Sequence, residues 1–277
     1  MIEIIACSSF ALETLRSSRG GYIHSVYKKT VNIVCGTQLL SIQAFGTPAS
    51  PLSLITNMSG EKLCELRLRR GTEINVLSGS AEIGGHILDM THCGIWNAAL
   101  NACTGDAPDA RYMERCLATL MPTGGFADLL LPDGKLWKER MAAREAAHLL
   151  ADADAYLRAG NDEAAAELLC GLIGLGEGLT PSGDDFLCGV LAAGRLCGGR
   201  AAGLSERLKA KILGRLDQTN DISAAFLKCA CDGLFGQAVI ELQEKVGVEH
   251  SSRSFAAIGH SSGADTLSGI LYAARLG

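Results

Sequence analysis

Tyr22-Ile23-His24-Ser25-Val26-Tyr27, Val31-Asn32-Ile33-Val34-Cys35 and Gln38-Leu39-Leu40-Ser41-Ile42-Gln43-Ala44-Phe45 are three short runs rich in β-branched and aromatic residues. Gly36-Thr37 separates the last two as a turn. Such runs, bounded by turn residues, read as neighbouring β-strands. Gly46-Thr47-Pro48 breaks the pattern, and Ser53 to Thr56, Leu63 to Leu68, Glu73 to Leu77 and Ala81 to Ile87 read as further strands. Helical stretches are predicted around Trp96 to Cys103 and Arg111 to Leu120. This part is a β-rich domain, a barrel or a sandwich.

The composition changes at Pro132-Asp133-Gly134. Beyond it, alanine- and leucine-rich segments with helical spacing predict helices at Leu136 to Ala159, Glu163 to Leu172, Ser205 to Leu216 and Ile222 to Val246, the last broken near Gly233. The fold class is therefore α+β, with a β-rich N-terminal domain over 1–134 and a mostly α-helical C-terminal domain over 135–277.

The bulk properties narrow the function. The 277 residues carry a net charge of −5 and an acidic pI near 5.7. No basic stripe is present, which argues against a nucleic-acid partner. No apolar run is long enough to span a bilayer, and the N-terminus lacks a secretory leader pattern. The 11 cysteines include no C-x-x-C and sit mostly in apolar runs. They read as reduced thiols of a cytoplasmic protein, not as a zinc site.

The sharpest feature is Gly174-Leu175-Gly176-Glu177-Gly178-Leu179-Thr180-Pro181-Ser182-Gly183-Asp184-Asp185, whose pattern returns at Gly259-His260-Ser261-Ser262-Gly263-Ala264-Asp265. With Ser182 aligned on Ser262, both runs share Ser, Gly, Asp, Leu, Gly, Leu, Ala, Arg and Leu, ending at Leu196 and Leu276. Each copy reads as a helix start, with Ser182 and Ser262 at the N-cap and Asp185 and Asp265 completing a capping box. Unpaired amides and partial positive charge at such starts receive small anions. Gly189 and Gly269 lie on the face of their aspartates, and small residues there predict that the two helices cross closely and share one pocket.

This pocket assigns Gly176, Gly178, Thr180, Ser182, Gly183, Ser261, Ser262 and Gly263 to substrate binding, with Thr219 and Ser223 of a third helix start as added lining. Asp184, Asp185, His260 and Asp265 are the candidate catalytic residues. Asp184 has no counterpart in the second copy, where Ala264 stands, and His260 replaces Thr180. Capping alone would explain Asp185 and Asp265, and His260 alone could be a loop histidine. No cofactor is required, although Mg²⁺ could be held by Asp184, Asp185 and Asp265.

The run from Gly176 to Gly189, together with Gly259-His260-Ser261-Ser262-Gly263-Ala264-Asp265-Thr266-Leu267, resembles the AllH-like bacterial family. Thr219, Ser223, Gly233 and Phe235 also look similar to it. The resemblance implies one of three subunits of oxamate carbamoyltransferase in anaerobic allantoin breakdown. It implies carbamoyl transfer between carbamoyl phosphate and oxamate, with oxalurate formed or consumed, and two partner subunits. A metal-dependent hydrolase or lyase acting on a small anion, and a non-catalytic anion-binding subunit, are the alternatives.

Overall fold

The computed structural model describes residues 2–77, 79–102, 108–120, 124–131 and 140–277. The chain divides into two compact units, Met1–Ala98 and Ala99–Gly277. This division falls before the composition change at Pro132. Helix α3 (Ala110–Leu120) buries Met113, Cys116 and Leu117 in the helical core of the second unit.

The first unit is built from strands β1 (Ile2–Ser8), β2 (Gly20–Val26), β3 (Thr30–Cys35), β4 (Gln38–Gln43), β5 (Ser53–Thr56), β6 (Glu73–Leu77), β7 (Ser80–Ile83), β8 (His86–Asp89) and β9 (Gly94–Trp96). They pair in the order β5-β4-β3-β2-β6-β7-β8-β1-β9, and β5 also pairs with β1. That second pairing closes the sheet into a barrel, which removes its main open edge. Ile4, Ile23, Ile33, Leu40, Ile42, Leu54, Ile74 and Ile83 are buried within this unit.

Two strand expectations are corrected. Leu63 to Leu68 is not a strand: helix α2 (Gly60–Glu65) occupies its start, capped by Ser59, whose hydroxyl accepts from the Lys62 amide. Only Leu63 of that helix is buried, so local capping outweighed the apolar alternation. Ala81 to Ile87 is split by the Gly84-Gly85 turn into β7 and β8, which pair antiparallel. Helix α1 (Ser9–Ser17), capped by Ser8, follows β1.

The second unit contains α3, α4 (Ala127–Leu130), α5 (Met141–Arg158), α6 (Asp162–Leu169), α7 (Ser182–Cys197), α8 (Gly199–Leu213), α9 (Asp221–Cys231), α10 (Gln237–Glu241), α11 (Val248–Ala256) and α12 (Ser262–Ala274). The helix expected around Trp96 to Cys103 is absent among the described residues. Ala99 instead bridges Leu234 in extended pairing, and the Leu100 amide donates to the Gly233 carbonyl. Cys103, Pro132 to Gly134 and the first residues of the helix expected from Leu136 lie outside the described residues.

Helices α7 and α12 are apolar on nearly every side, as expected for helices enclosed in a core. Their packing is reciprocal. A β-carbon on Gly189 would stand 2.0 Å from the Thr266 carbonyl oxygen, and one on Gly269 would stand 1.9 Å from that of Phe186. Phe186 and Thr266 are themselves equivalent positions of the repeat. The two helices thus meet as a pseudo-two-fold pair, backbone against backbone, which only glycine permits.

Candidate functional site

The close crossing brings the two helix starts together. Their caps differ from the sequence expectation by one residue. Pro181 and Ser261 are the N-cap residues, neither makes a side-chain cap bond, and Ser182 and Ser262 are the first helical residues. The loop closes the first copy this way: the Gly183 amide donates to the Leu175 carbonyl, while the Asp184 and Asp185 amides donate to Pro181. Gly176, at φ +127°, makes the turn, since a β-carbon there would lie 2.6 Å from the Ser182 nitrogen. Asp185 and Asp265 are therefore not members of capping boxes, and their carboxylates are free for other roles.

Asp184 is 1% exposed and fully engaged. Its Oδ1 accepts from the Gly174 amide at 2.8 Å. Its Oδ2 accepts from the Thr219 hydroxyl at 2.5 Å and the Ser223 hydroxyl at 2.6 Å. Thr219 is not the cap of α9: Asn220 is, accepting from the Ile222 and Ser223 amides. Thr219 and Ser223 instead fasten the third helix start to α7. Asp184 ties three segments together, with both of its oxygens already bonded.

Asp185 and Asp265 are different. Both are buried, and the Oδ2 of each has no hydrogen-bond partner. Leaving a buried carboxylate oxygen unpaired is costly, and such atoms concentrate where a ligand or proton completes the set. Oδ1 of Asp265 accepts from the Phe126 amide at 2.5 Å. Gly125, at φ +65°, lies directly against this carboxylate, where a β-carbon would stand 2.0 Å from Oδ1. The Gly125 carbonyl is held by Arg140, which also pairs with Asp128 at 2.9 Å.

The arrangement crosses over between the copies. Burial raises the Asp185 carboxyl well above the ordinary range, while the Ser262 hydroxyl nearby and Thr180 moderate the effect. Burial also raises Asp265 to about 6, moderated by the Phe126 amide, by Ser182 and Ser261, and by Arg140. Each aspartate is thus tuned by the first serine of the opposite helix. These hydroxyls act without completing a bond to either orphaned oxygen. The charges of Asp265 and Asp184 raise Asp185 further.

Thr180 and Ser262 join the two copies directly, with their hydroxyl oxygens 2.8 Å apart. Ser261 and Ser262 are half-buried, Gly178 is exposed with open space where a β-carbon would point, and His260 is exposed at φ +34° on the rim. Gly183 and Gly263 press their Cα faces against the carbonyls of Leu172 and Phe255 and so seat the helices. The sequence reading did not include Gly124, Gly125, Phe126 and Arg140. Their only signal was an isolated Gly-Gly-Phe outside any repeat.

The three carboxylates named for Mg²⁺ do not converge, because Asp184 faces Gly174, Thr219 and Ser223. No group of three His, Cys, Asp or Glu side chains suited to a metal ion occurs among the described residues. One surface hollow of the second unit, of about 390 Å³, lies beside Asp154, Tyr272 and Arg275. The orphaned carboxylates locate the site better than hollow volume, since among the described residues of the second unit they alone combine a buried side-chain polar atom with unmet bonding.

A family model described as oxamate carbamoyltransferase subunit AllH matches residues 172–274, which hold both helix starts. A model of the AllH family N-terminal domain matches residues 3–95, the barrel. The chain belongs to the AllH family. AllH is by this description a carbamoyltransferase subunit, which implies a complex with other chains. The AllH match begins at Leu172, against which Gly183 is seated, and ends at Ala274, the last residue of α12. No curated protein and no solved structure matches the chain. No helix among the described residues is long and apolar enough to cross a membrane.

Proposed function

We propose that this chain is a cytoplasmic subunit of a carbamoyltransferase complex that works with two other subunits in allantoin catabolism. The complex transfers a carbamoyl group between carbamoyl phosphate and oxamate, forming or consuming oxalurate. The observation that carries this reading is the pair of buried, unpartnered carboxylate oxygens on Asp185 and Asp265, set between the hydroxyls of Thr180, Ser182, Ser261 and Ser262. Both substrates present an amide N–H₂ to such acceptors and an anionic group to hydroxyls and amides.

One electrostatic obstacle to an anionic substrate is eased. Asp184 is held by three donors that solvate its charge in place of water, and burial favours the neutral form of Asp185. A buried carboxyl kept protonated can donate a hydrogen bond to a developing oxyanion or a leaving oxygen. Ionised Asp265 can accept the proton released by the attacking amide. His260, exposed at the rim, is placed for contact with the phosphate end.

The metal-dependent hydrolase or lyase alternative requires a carboxylate convergence that Asp184 does not join. The test is carbamoyl transfer assayed for the chain alone and with the products of its neighbouring genes. Activity confined to the full set, and lost by at least about a hundredfold in Asp185→Asn and Asp265→Asn, is expected. Undiminished activity in both variants would make the chain a non-catalytic anion-binding subunit.

A further inference from the structure

The pseudo-two-fold axis between α7 and α12 makes two matched half-sites, and the two substrates proposed above are themselves matched. Each consists of H₂N–C(=O)– attached to an anionic group, a phosphate in one and a carboxylate in the other. We propose that each substrate occupies its own half-site: carbamoyl phosphate lies over the α12 start, against Ser262, Thr180 and Asp185, and oxamate lies over the α7 start, against Ser182, Ser261 and Asp265. This assignment rests on the carbamoyltransferase reading and adds the placement of each substrate.

The half-sites are built by exchange. Asp185 rises from α7 toward Ser262 of α12, which is bonded to Thr180. Asp265 rises from α12 toward Ser182 of α7, with Ser261 alongside. Each half therefore holds one carboxylate with an orphaned, buried oxygen and two hydroxyls. A planar amide fits such a set, with its N–H₂ donating and its carbonyl oxygen accepting.

What breaks the symmetry decides which substrate goes where. At the α7 start the Gly183, Asp184 and Asp185 amides are already spent on Leu175 and Pro181, which leaves the Ser182 amide alone without a partner among the described residues. At the α12 start the Ser262 and Asp265 amides are spent, but those of Gly263 and Ala264 have no partner among the described residues. Free amides at the start of a helix suit a dianionic phosphate better than a carboxylate. His260 borders the same start. The α7 half, with the Ser182 amide alone against two at α12, relies more on hydroxyl donors, which suffice for a monoanion.

The proton arithmetic closes under this placement. The oxamate nitrogen attacks the carbamoyl carbon, forming the N–C bond, and its departing proton goes to ionised Asp265. The C–O bond to phosphate breaks, its electron pair leaves on the phosphate oxygen, and protonated Asp185 supplies a proton to that oxygen. One proton enters the dyad and one leaves it. Transfer from Asp265 to Asp185 restores the starting state, and the reverse reaction uses the same groups in reverse.

The experiment is steady-state kinetics of the reconstituted complex, varying each substrate separately, with Ser182→Ala and Ser261→Ala for one half and Ser262→Ala and Thr180→Val for the other. Loss of one hydroxyl is expected to raise one KM by about tenfold. The first pair should raise KM for oxamate and leave KM for carbamoyl phosphate within about twofold, and the second pair should do the opposite. Variants of both halves raising both KM values together would overturn the partition while leaving the shared pocket intact. Four variants with unchanged kinetics in an active complex would instead remove the pocket itself, and the proposed function of this chain with it.

Discussion

Gly189 of α7 lies so near Thr266 of α12 that a β-carbon would sit 2.0 Å from the Thr266 carbonyl oxygen, and Gly269 repeats this contact against Phe186. Neither oxygen belongs to a side chain that could swing away. Gly189→Ala and Gly269→Ala should each destabilise the protein by about 2–3 kcal/mol, read as a lower midpoint in denaturant unfolding. Because both force the same pair of helices apart, the double variant should lose less than the sum. Full additivity would mean that the two contacts are energetically separate.

Asp184 accepts three hydrogen bonds while almost wholly buried. Asp184→Ala leaves the Gly174 amide and the Thr219 and Ser223 hydroxyls without their acceptor, at a cost of about 4 kcal/mol. Asp184→Asn keeps one acceptor oxygen and should cost about half as much. Hydrogen exchange at the Gly174 amide is the direct check: its protection should collapse in the alanine variant and persist in part in the asparagine one.

Asp265 titrates near 6 in the folded chain against 3.8 as a free side chain. An acid with a raised folded pKa keeps more protons folded than unfolded across that window. Its contribution therefore falls as pH rises from about 4 to 6 and stays low above 6. At 1.36 kcal/mol per pKa unit the difference is about 3 kcal/mol. Asp265→Asn should remove this dependence. The stability gap between variant and parent, measured by urea unfolding at pH 4.5 and pH 7.5, should shift in the variant's favour at the higher pH. A gap independent of pH would show that Asp265 ionises normally.

Gly125 combines a left-handed backbone with direct contact on the Asp265 carboxylate. Gly125→Ala strains the backbone and drives a methyl group into the acceptor of the Phe126 amide. The expected result is a loss of at least about 2 kcal/mol together with loss of carbamoyl transfer. Gly178→Ala, where the β-carbon would meet nothing within 4 Å, should cost only about 1 kcal/mol through its φ of +97°.

Much of the barrel was legible because its strands are short, apolar and punctuated by turns. The runs at Tyr22 to Tyr27, Val31 to Cys35 and Gln38 to Phe45 correspond to β2, β3 and β4. Leu63 to Leu68 failed because the Ser59 cap, a local side-chain bond, outweighed alternation. Arg67, just beyond α2, turns left-handed at φ +51°, which interrupts an extended run there. Trp96 to Cys103 failed because Ala99 and Leu100 pair with residues far along the chain.

The sequence by itself determined that two copies of one helix start exist and that their glycines allow a close crossing. Repetition and the missing β-carbon are properties of residues, readable without coordinates. Only the tertiary structure decided what each carboxylate does. Asp184 and Asp185 are neighbours in the chain, yet successive helix positions point about 100° apart. One therefore meets Gly174, Thr219 and Ser223, while the other meets Ser262 and keeps one oxygen, Oδ2, unpaired. The partner of Asp265 is the Phe126 amide, 139 residues away. No spacing rule reaches that far, because folding sets which distant backbone group comes to rest against a buried charge.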